Sequence, residues 1–273
     1  MINQHIKYLI GASTAIMLML TSSFALADYS RAPSETLNAD LGHINPSSLP
    51  KSHDNINKIR LAALKEAATS LGAKGALAWR SNLINDTLNK DQAHLDSIFS
   101  FNQLILEHNV LPPVLVESDN NMNVNDDTSI RLDSKTYRII EQARFVTTPP
   151  TWRNYLLMNF SAPDIPDKSL LPKTQEEAEA WDDFLKQGWE QGISQANDIF
   201  RSNLDRLKRD FLGMVLYKKL LAQHMVSAPY VAQSNLGVTG DKDEIHINDQ
   251  VLRITSESEL QTDSSDWNPV FTH

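Results

Sequence analysis

Histidine and carboxylate side chains are the residues of this chain with the most potential for chemistry, because cysteine is absent. The lack of cysteine excludes disulfides, thiolate metal sites and cysteine nucleophiles. No two of the eight histidines stand three or four residues apart, so no pair can hold a metal ion on one helix face. The histidines occupy positions 5, 43, 53, 94, 108, 224, 246 and 273.

The sequence motifs of the common catalytic sites are also missing. The chain contains no G-x-S-x-G, H-E-x-x-H, Walker loop or G-x-G-x-x-G. Glu107 and His108 could act as a base and its orienting partner, but neighbours in a predicted strand point to opposite faces. We therefore predict no catalytic residue, no metal ligand and no cofactor, and a protein that is not an enzyme.

Alternating Asp and Asn residues between positions 119 and 127 resemble the ligands of a calcium loop. They are Asp119, Asn121, Asn123, Asn125 and Asp127. The calcium-loop template requires glycine at its sixth position and glutamate at its twelfth, whereas this chain has Val124 and Ile130 there. We therefore predict that residues 117–129 form a solvated polar loop rather than a calcium site.

Composition and charge narrow the class of protein further. The chain has 273 residues, of which 41% are hydrophobic and 22% charged, so it can bury an ordered core in one or two domains. The formal net charge is −9 and the sequence pI is about 5.3. Because nucleic-acid binders usually carry a basic field, we predict no nucleic-acid partner.

The N-terminus has the pattern of a secretory signal peptide, predicted to span residues 1–27. Lys7 precedes a short apolar run over residues 9–20, and the Ala-Leu-Ala sequence at 25–27 matches a cleavage site between Ala27 and Asp28. The apolar run is too short for a membrane anchor, which needs about 20 residues. Loss of Lys7 would change the net charge from −9 to −10. In a bacterium, the predicted location of the mature protein is the periplasm.

The remaining chain divides into a linker, one domain and a tail. Residues 28–52 are rich in Pro, Ser, Asn and Asp and are predicted to be a flexible linker. A helical pattern begins at His53, with Asp54 or Ser52 as its cap. Thr174 and Glu177 form a capping box for a long helix that reaches about Met225, with a break expected near Gly188 or Gly213. Residues 53–262 are the predicted domain, and residues 263–273 are a polar tail.

Two features of the predicted long helix indicate how it packs. Small residues at Gly188, Gly192 and Ala196 share one face and favour close approach of another backbone. Trp181 and Trp189 are interpreted as core or interface residues, with an aromatic ligand platform as the alternative. The residues expected to be buried along the apolar stripe are Phe200, Leu204, Leu207 and Phe211.

Short apolar runs between turn residues predict antiparallel strands. One hairpin is expected around the turn at 133–135 and another around 248–250, with a further turn at Gly240–Asp241. The order of helix, strands, long helix and strands predicts an α+β fold. The expected architecture is a single domain in which long helices pack against a small, mostly antiparallel sheet.

A series of segments between about residues 56 and 260 resembles the DotC family of Dot/Icm type IVB secretion systems and its relatives in conjugation systems. No segment is a chemical motif alone, but all occur in one order. They are Leu-Pro-Pro-Val-Leu at 111–115, Phe-Val-Thr-Thr-Pro-Pro-Thr-Trp-Arg-Asn-Tyr-Leu at 145–156, Leu-Leu-Pro-Lys-Thr at 170–174, Gly-Trp at 188–189, Gln-Ala-Asn at 195–197, Asp-Phe at 210–211, Gly-Met at 213–214, Tyr217, Met-Val-Ser-Ala-Pro-Tyr-Val at 225–231, Leu-Gly-Val-Thr-Gly-Asp at 236–241 and Val-Leu-Arg-Ile-Thr at 251–255.

The resemblance implies a structural subunit of a multi-copy envelope assembly at the outer membrane. It implies DotD-like and DotH-like proteins as partners, with DotG-like and DotF-like proteins beyond them. The family typically carries a lipid on a cysteine directly after its signal peptide, whereas this chain has Ala27–Asp28 there and no cysteine. We therefore expect a periplasmic protein that associates with the outer membrane through its partners.

Two turn-rich segments that carry the family pattern are the predicted contact sites for those partners. Their residues are Pro149, Pro150 and Trp152 in the first segment, and Leu236, Gly237, Val238 and Asp241 in the second. Two other classes stay open at this point: a periplasmic ligand-binding module, and a hydrolase with an unrecognised site.

Overall fold

The computed structural model describes residues 57–126 and 129–268. The predicted signal peptide (1–27), its cleavage site at Ala27–Asp28 and the linker (28–52) lie outside these residues. Within the described ranges, no helix has both the length and the apolar character needed to cross a membrane.

Long helices and antiparallel strand pairs make up the described chain. The helices are α1 (Lys58–Lys90), α2 (Gln92–Ile98), α3 (Trp152–Leu156) and α4 (Gln175–Ala222). The strands are β1 (Val110–Leu111), β2 (Val114–Asp126), β3 (Ser129–Glu141), β4 (Arg144–Phe145), β5 (Tyr230–Gly240) and β6 (Ile245–Ser256). The strands pair as β1 with β4, β2 with β3 and β5 with β6, all antiparallel. The predicted α+β class is confirmed.

Residue contacts group the chain into two compact units. The described part of the first unit comprises residues 57–92 and 157–201, and that of the second comprises residues 93–156 and 202–268. The continuous helix α4 contributes its first 27 residues to one unit and the rest to the other.

Helices α1 and α4 run parallel to each other in the first unit. Arg60 bonds to Glu177 and Arg80 bonds to Asn197, and both pairs are separated by 117 residues. A constant separation over 20 residues of helix requires the two helices to run in the same direction. Their shared core contains the buried side chains of Leu64, Ala68, Leu71, Trp181 and Leu185. The burial of Trp181 confirms the core interpretation.

Glycines let the two backbones touch, which confirms the predicted close packing. A Cβ on Gly188 would collide with the Thr69 carbonyl, and one on Gly192 would collide with the Ala73 carbonyl. Gly72 on α1 has the same role from the other side, because a Cβ at this position would collide with the Leu185 carbonyl of α4. The expected break in α4 near Gly188 or Gly213 is therefore wrong, because these glycines serve close approach within a continuous helix.

The two helix starts show one correct and one incorrect prediction. Thr174 caps α4, and its hydroxyl oxygen accepts the backbone N–H of Glu177 at 3.2 Å. The Glu177 carboxylate accepts the backbone N–H of Lys173 at 2.8 Å. For α1, Asn57 is the cap and its side chain accepts the N–H of Ile59, so the predicted caps Asp54 and Ser52 are wrong.

The second unit packs the end of α4 against the hairpin β2–β3. Leu115 lies in a buried cluster with Tyr217, Leu220 and Val226. A second cluster is aromatic, and Phe211 meets the rings of Phe99 and Phe101 edge-on at 5.4 and 5.2 Å. Leu204, Leu207 and Phe211 are buried as predicted. Phe200 is only half-buried.

The β2–β3 hairpin corrects the prediction for residues 117–129. Residues 117–126 lie in β2 and Ser129 begins β3, with Asp119 opposite Lys135 and Asp126 opposite Ser129. The expected turn at 133–135 is therefore wrong, because these residues lie inside β3. Ladder hydrogen bonds use the backbone, so a two-stranded ribbon forms without the alternating apolar pattern that marks a half-buried strand.

The C-terminal hairpin shows that a second predicted turn, at 248–250, is wrong. Residues 248–250 lie inside β6, and the chain reverses between Gly240 and Ile245 as the Gly240–Asp241 signal predicts. Asn248 has a φ of +59° at a shift of strand register, so a β-bulge accounts for its turn-like sequence. In the described part of the predicted tail, Ser264–Asp266 form a 3₁₀ turn, and Trp267 donates its indole N–H to the Gln261 carbonyl at 3.0 Å.

Candidate functional site: the tip of the β5–β6 hairpin

The segment predicted for partner contact at 236–241 forms the tip of the β5–β6 hairpin. Leu236 and Val238 are 51% and 69% exposed, and Asp241 is also exposed. Gly237 adopts a φ of +76° beside the bulge, a conformation that favours glycine. The structure therefore places the apolar residues of this segment on the surface.

Hydrogen bonds within the turn hold the tip in shape. The Asp241 carboxylate accepts the backbone N–H groups of Asp243 and Glu244 at 2.9 and 3.1 Å. The Asp241 N–H donates in turn to the Glu244 carbonyl at 2.8 Å. This side-chain turn fixes the reversal without a buried core beneath it.

The tip has one apolar and one polar face. Val238 is paired with Ile247 across the strands, and Gly240 with Ile245, so these side chains share a face. We call Val238, Ile245 and Ile247 the apolar face; they are 69%, 68% and 74% exposed. The opposite face carries polar pairs: the Thr239 hydroxyl donates to Asp249 at 2.5 Å, and His246 lies 3.8 Å from Glu244.

The sequence prediction for this segment did not include Ile245 and Ile247, which the structure shows to be exposed beside Val238. The Ile-His-Ile sequence indicates strand, and alternation in a strand usually marks a face that packs into the protein core. The register places these side chains on one face, and their exposure shows that no described residue covers it.

The other predicted contact segment, Pro149 to Trp152, lies in the second unit and is held in place by the buried side chain of Trp152. Trp152 is completely buried, and its indole N–H donates to Asp96 at 2.7 Å. Arg153 donates to the same carboxylate oxygen at 2.6 Å, and this hydrogen bond lowers the pKa of Asp96. Trp152 has no surface for a partner, so its selection as a contact residue is wrong; Pro149 and Pro150 are half-buried.

The titratable groups considered for catalysis are dispersed on the surface. Glu107, His108, His224 and His246 are all exposed. Glu107 and His108 lie in a 3₁₀ turn, not in a strand as expected, and His108 has a φ of +59°. In residues 57–126 and 129–268, no group of three or more His, Asp or Glu side chains could hold a metal ion.

A cleft of about 540 Å³ lies in the first unit between α1 and residues 159–170. Ser70, Lys74 and Asp164 are polar residues of its lining, and Phe160 and Pro163 are apolar ones. None of the four groups considered for catalysis lines this cleft. It is a place where a small ligand would fit if the ligand-binding alternative holds.

Comparison with known proteins identifies the family. A comparison with curated proteins gives no match. A protein-family model described as "Type IV secretory system, conjugal DNA-protein transfer" matches residues 58–269, which is well over half of the chain and includes both compact units. The chain belongs to this type IV secretory system family.

Proposed function

We propose that this protein is a non-enzymatic structural subunit of the outer-membrane core complex of a type IVB secretion system. The family match supports a role in type IV secretion. The resemblance of residues 56–260 to the DotC family supports the specific position in the complex. The observation that carries the proposal is the exposed apolar face of the hairpin tip, because apolar patches of this kind usually mark protein contacts.

In this proposal the protein helps to place and hold a DotH-like channel protein together with a DotD-like protein. It is exported to the periplasm, and DotG-like and DotF-like proteins complete the assembly. It reaches the outer membrane through these partners, because the sequence contains no cysteine that could carry a lipid. The net charge of −10 expected after loss of Lys7 with the signal peptide, from −9 for the full chain, also disfavours direct binding to anionic lipid surfaces.

Affinity isolation from cell envelopes tests the assignment. A tagged full-length chain is expected to bring down the DotD-like and DotH-like proteins from envelopes solubilised in mild detergent. Fractionation then tests the anchoring: the protein should leave the outer-membrane fraction when both partners are deleted. Failure to co-isolate any secretion-system protein would refute the structural role.

The cleft beside α1 is the observation that favours the second candidate, a periplasmic ligand-binding module. Lys74 in its lining would favour an anionic group. Lys74→Ala and an exposed control on the same helix outside the cleft, Lys90→Ala, separate the two functions. In the structural role both variants support secretion equally, whereas a ligand-binding role requires a selective loss with Lys74→Ala.

A further inference from the structure

The apolar face of the hairpin tip is unusual because its side chains are aliphatic and mostly exposed to solvent. Val238, Ile245 and Ile247 are each more than two-thirds exposed although they are adjacent on one side of the ribbon. The β5–β6 sheet has two strands, and no further strand of the described chain pairs with it. Exposing three neighbouring aliphatic side chains to water is unfavourable, and a partner that covered them would recover that free energy.

Acidic residues border this face at the end of the ribbon. Asp241, Asp243 and Glu244 are exposed residues of the turn that directly precedes Ile245. Lys242 is the single Lys or Arg between Gly240 and Gln250. The tip therefore has an apolar face that is bordered at the turn by exposed acidic residues, which we call the acidic rim.

The acidic rim decides between the possible occupants. Two copies of this face brought together would place like charges opposite each other, which is unfavourable. An anionic lipid surface would be repelled for the same reason. A protein surface that has an apolar centre and Lys or Arg at its rim would be attracted.

The tip is also arranged to bind without losing much conformational freedom. Its turn is held by the Asp241 hydrogen bonds, and the Thr239–Asp249 bond joins the two strands on the polar face. Bulges at Gly237 and Asn248 fix the twist of the ribbon just below the apolar face. A surface that is already ordered costs less entropy on binding than a flexible loop.

We infer that Val238, Ile245 and Ile247 dock onto a partner protein whose complementary surface is apolar and rimmed by basic residues. The inference rests on the proposed function, since it defines how that structural subunit would contact its assembly. It adds Ile245 and Ile247 of β6 to the predicted contact segment 236–241. It also specifies which face of the hairpin makes the contact.

Matched substitutions on the two faces test the inference. Ile247→Glu places a charge on the apolar face, whereas His246→Glu places the same side chain on the polar face one residue away. Both positions are exposed, so both variants should keep the wild-type thermal midpoint. A photo-crosslinking amino acid at Ile245 in the full chain, expressed in cells that assemble the envelope complex, reports the contact.

We expect the crosslink to map by mass spectrometry to an apolar segment of another protein that is flanked by Lys or Arg. Its yield should fall on the order of tenfold with Ile247→Glu and stay unchanged with His246→Glu. In the solubilised complex, added salt should weaken the association, because the rim charges are exposed. A crosslink to a second copy, an unaffected yield with Ile247→Glu, or the lack of any crosslink would overturn the inference.

Vesicles of phosphatidylethanolamine and phosphatidylglycerol provide the lipid arm. Flotation of the mature protein with these vesicles that is lost with Ile247→Glu would assign the face to lipid and overturn the inference. The outcomes also separate the two proposals. If secretion-system proteins co-isolate equally with the wild type and Ile247→Glu, the docking face is wrong while the structural role stands. If none co-isolates with the wild type, the structural role itself fails.

Discussion

Arg60 and Glu177 form a two-pronged ion pair that joins α1 to the first turn of α4. The guanidinium Nε and one terminal nitrogen each lie 3.1 Å from a carboxylate oxygen. Arg60 also donates to the backbone carbonyls of Ser169 and Leu171 at 2.5 and 2.6 Å. Glu177 is 8% exposed, and its carboxylate also accepts the backbone N–H of Lys173. This one side chain therefore connects the start of α1 to the residue that precedes the Thr174 cap of α4.

We predict that Glu177→Gln destabilises the fold at neutral pH and that the effect shrinks in acid. The hydrogen bond from Arg60 lowers the pKa of Glu177 below its ordinary value of 4.5. The stabilisation is therefore fully present above that ordinary value and is lost as the pH falls through the lower folded-state pKa. Urea midpoints of the two proteins should converge in that range. Glu190→Gln, an exposed change on the same helix, should have little effect at any pH.

Alanine at Gly188 should disrupt the contact between α1 and α4. Its Cβ would collide with the backbone of Thr69, which cannot rotate away, so we expect a loss of at least about 2 kcal/mol in unfolding free energy. Gly75→Ala is the matched control, because its Cβ would meet only side-chain atoms at 3.7 and 3.9 Å. That variant should be neutral or more stable by about 0.5–1 kcal/mol. Equal losses for both variants would contradict the proposed close packing.

The aromatic cluster of the second unit predicts a large cost for Phe211→Ala. The Phe211 ring is 4% exposed and packs edge-on against two phenylalanines, so its removal should cost about 3–5 kcal/mol. The neighbouring Leu212 is 43% exposed, and Leu212→Ala should cost under about 1 kcal/mol. Denaturant titration of both variants gives the comparison. A loss below about 1 kcal/mol for Phe211→Ala would show that this ring does not support the core.

The combined change Glu107→Gln and His108→Asn should leave secretion intact. Both residues are exposed, and asparagine tolerates the positive φ of residue 108 better than most side chains. A cargo-translocation assay with normal protein levels as the control checks this expectation. Lost secretion in a variant that folds and assembles normally would argue for a catalytic or ligand-binding site at these residues.

Export with cleavage between Ala27 and Asp28 is the last prediction. The apolar run at 9–20 and the small residues at 25–27 give the export machinery its usual signal. N-terminal sequencing of the protein from the periplasmic fraction should therefore begin at Asp28. A protein that retains Met1 would contradict it.

The long helix and its capping box are predictable from sequence because both depend on local spacing. Thr174 and Glu177 stand three residues apart, and apolar residues at helical intervals such as Leu204, Leu207 and Phe211 are buried as expected. The strand pairings depend on residues far apart in the chain, and polar ribbons give no periodic signal. This is why the turns at 133–135 and 248–250 were misplaced. Ile245 and Ile247 are exposed because no other described segment packs over them, and a local sequence pattern carries no information about such distant packing.

The parallel arrangement of α1 and α4 has a consequence for the order of events during folding. The two helices meet through pairs 117 residues apart, so α1 leaves the ribosome long before its partner is made. Closing a flexible loop of that length costs about 4 kcal/mol of chain entropy. Contacts this distant in sequence also slow the search for the native state. Until α4 is synthesised, the face of α1 that carries Leu64, Ala68 and Leu71 is left without its packing partner.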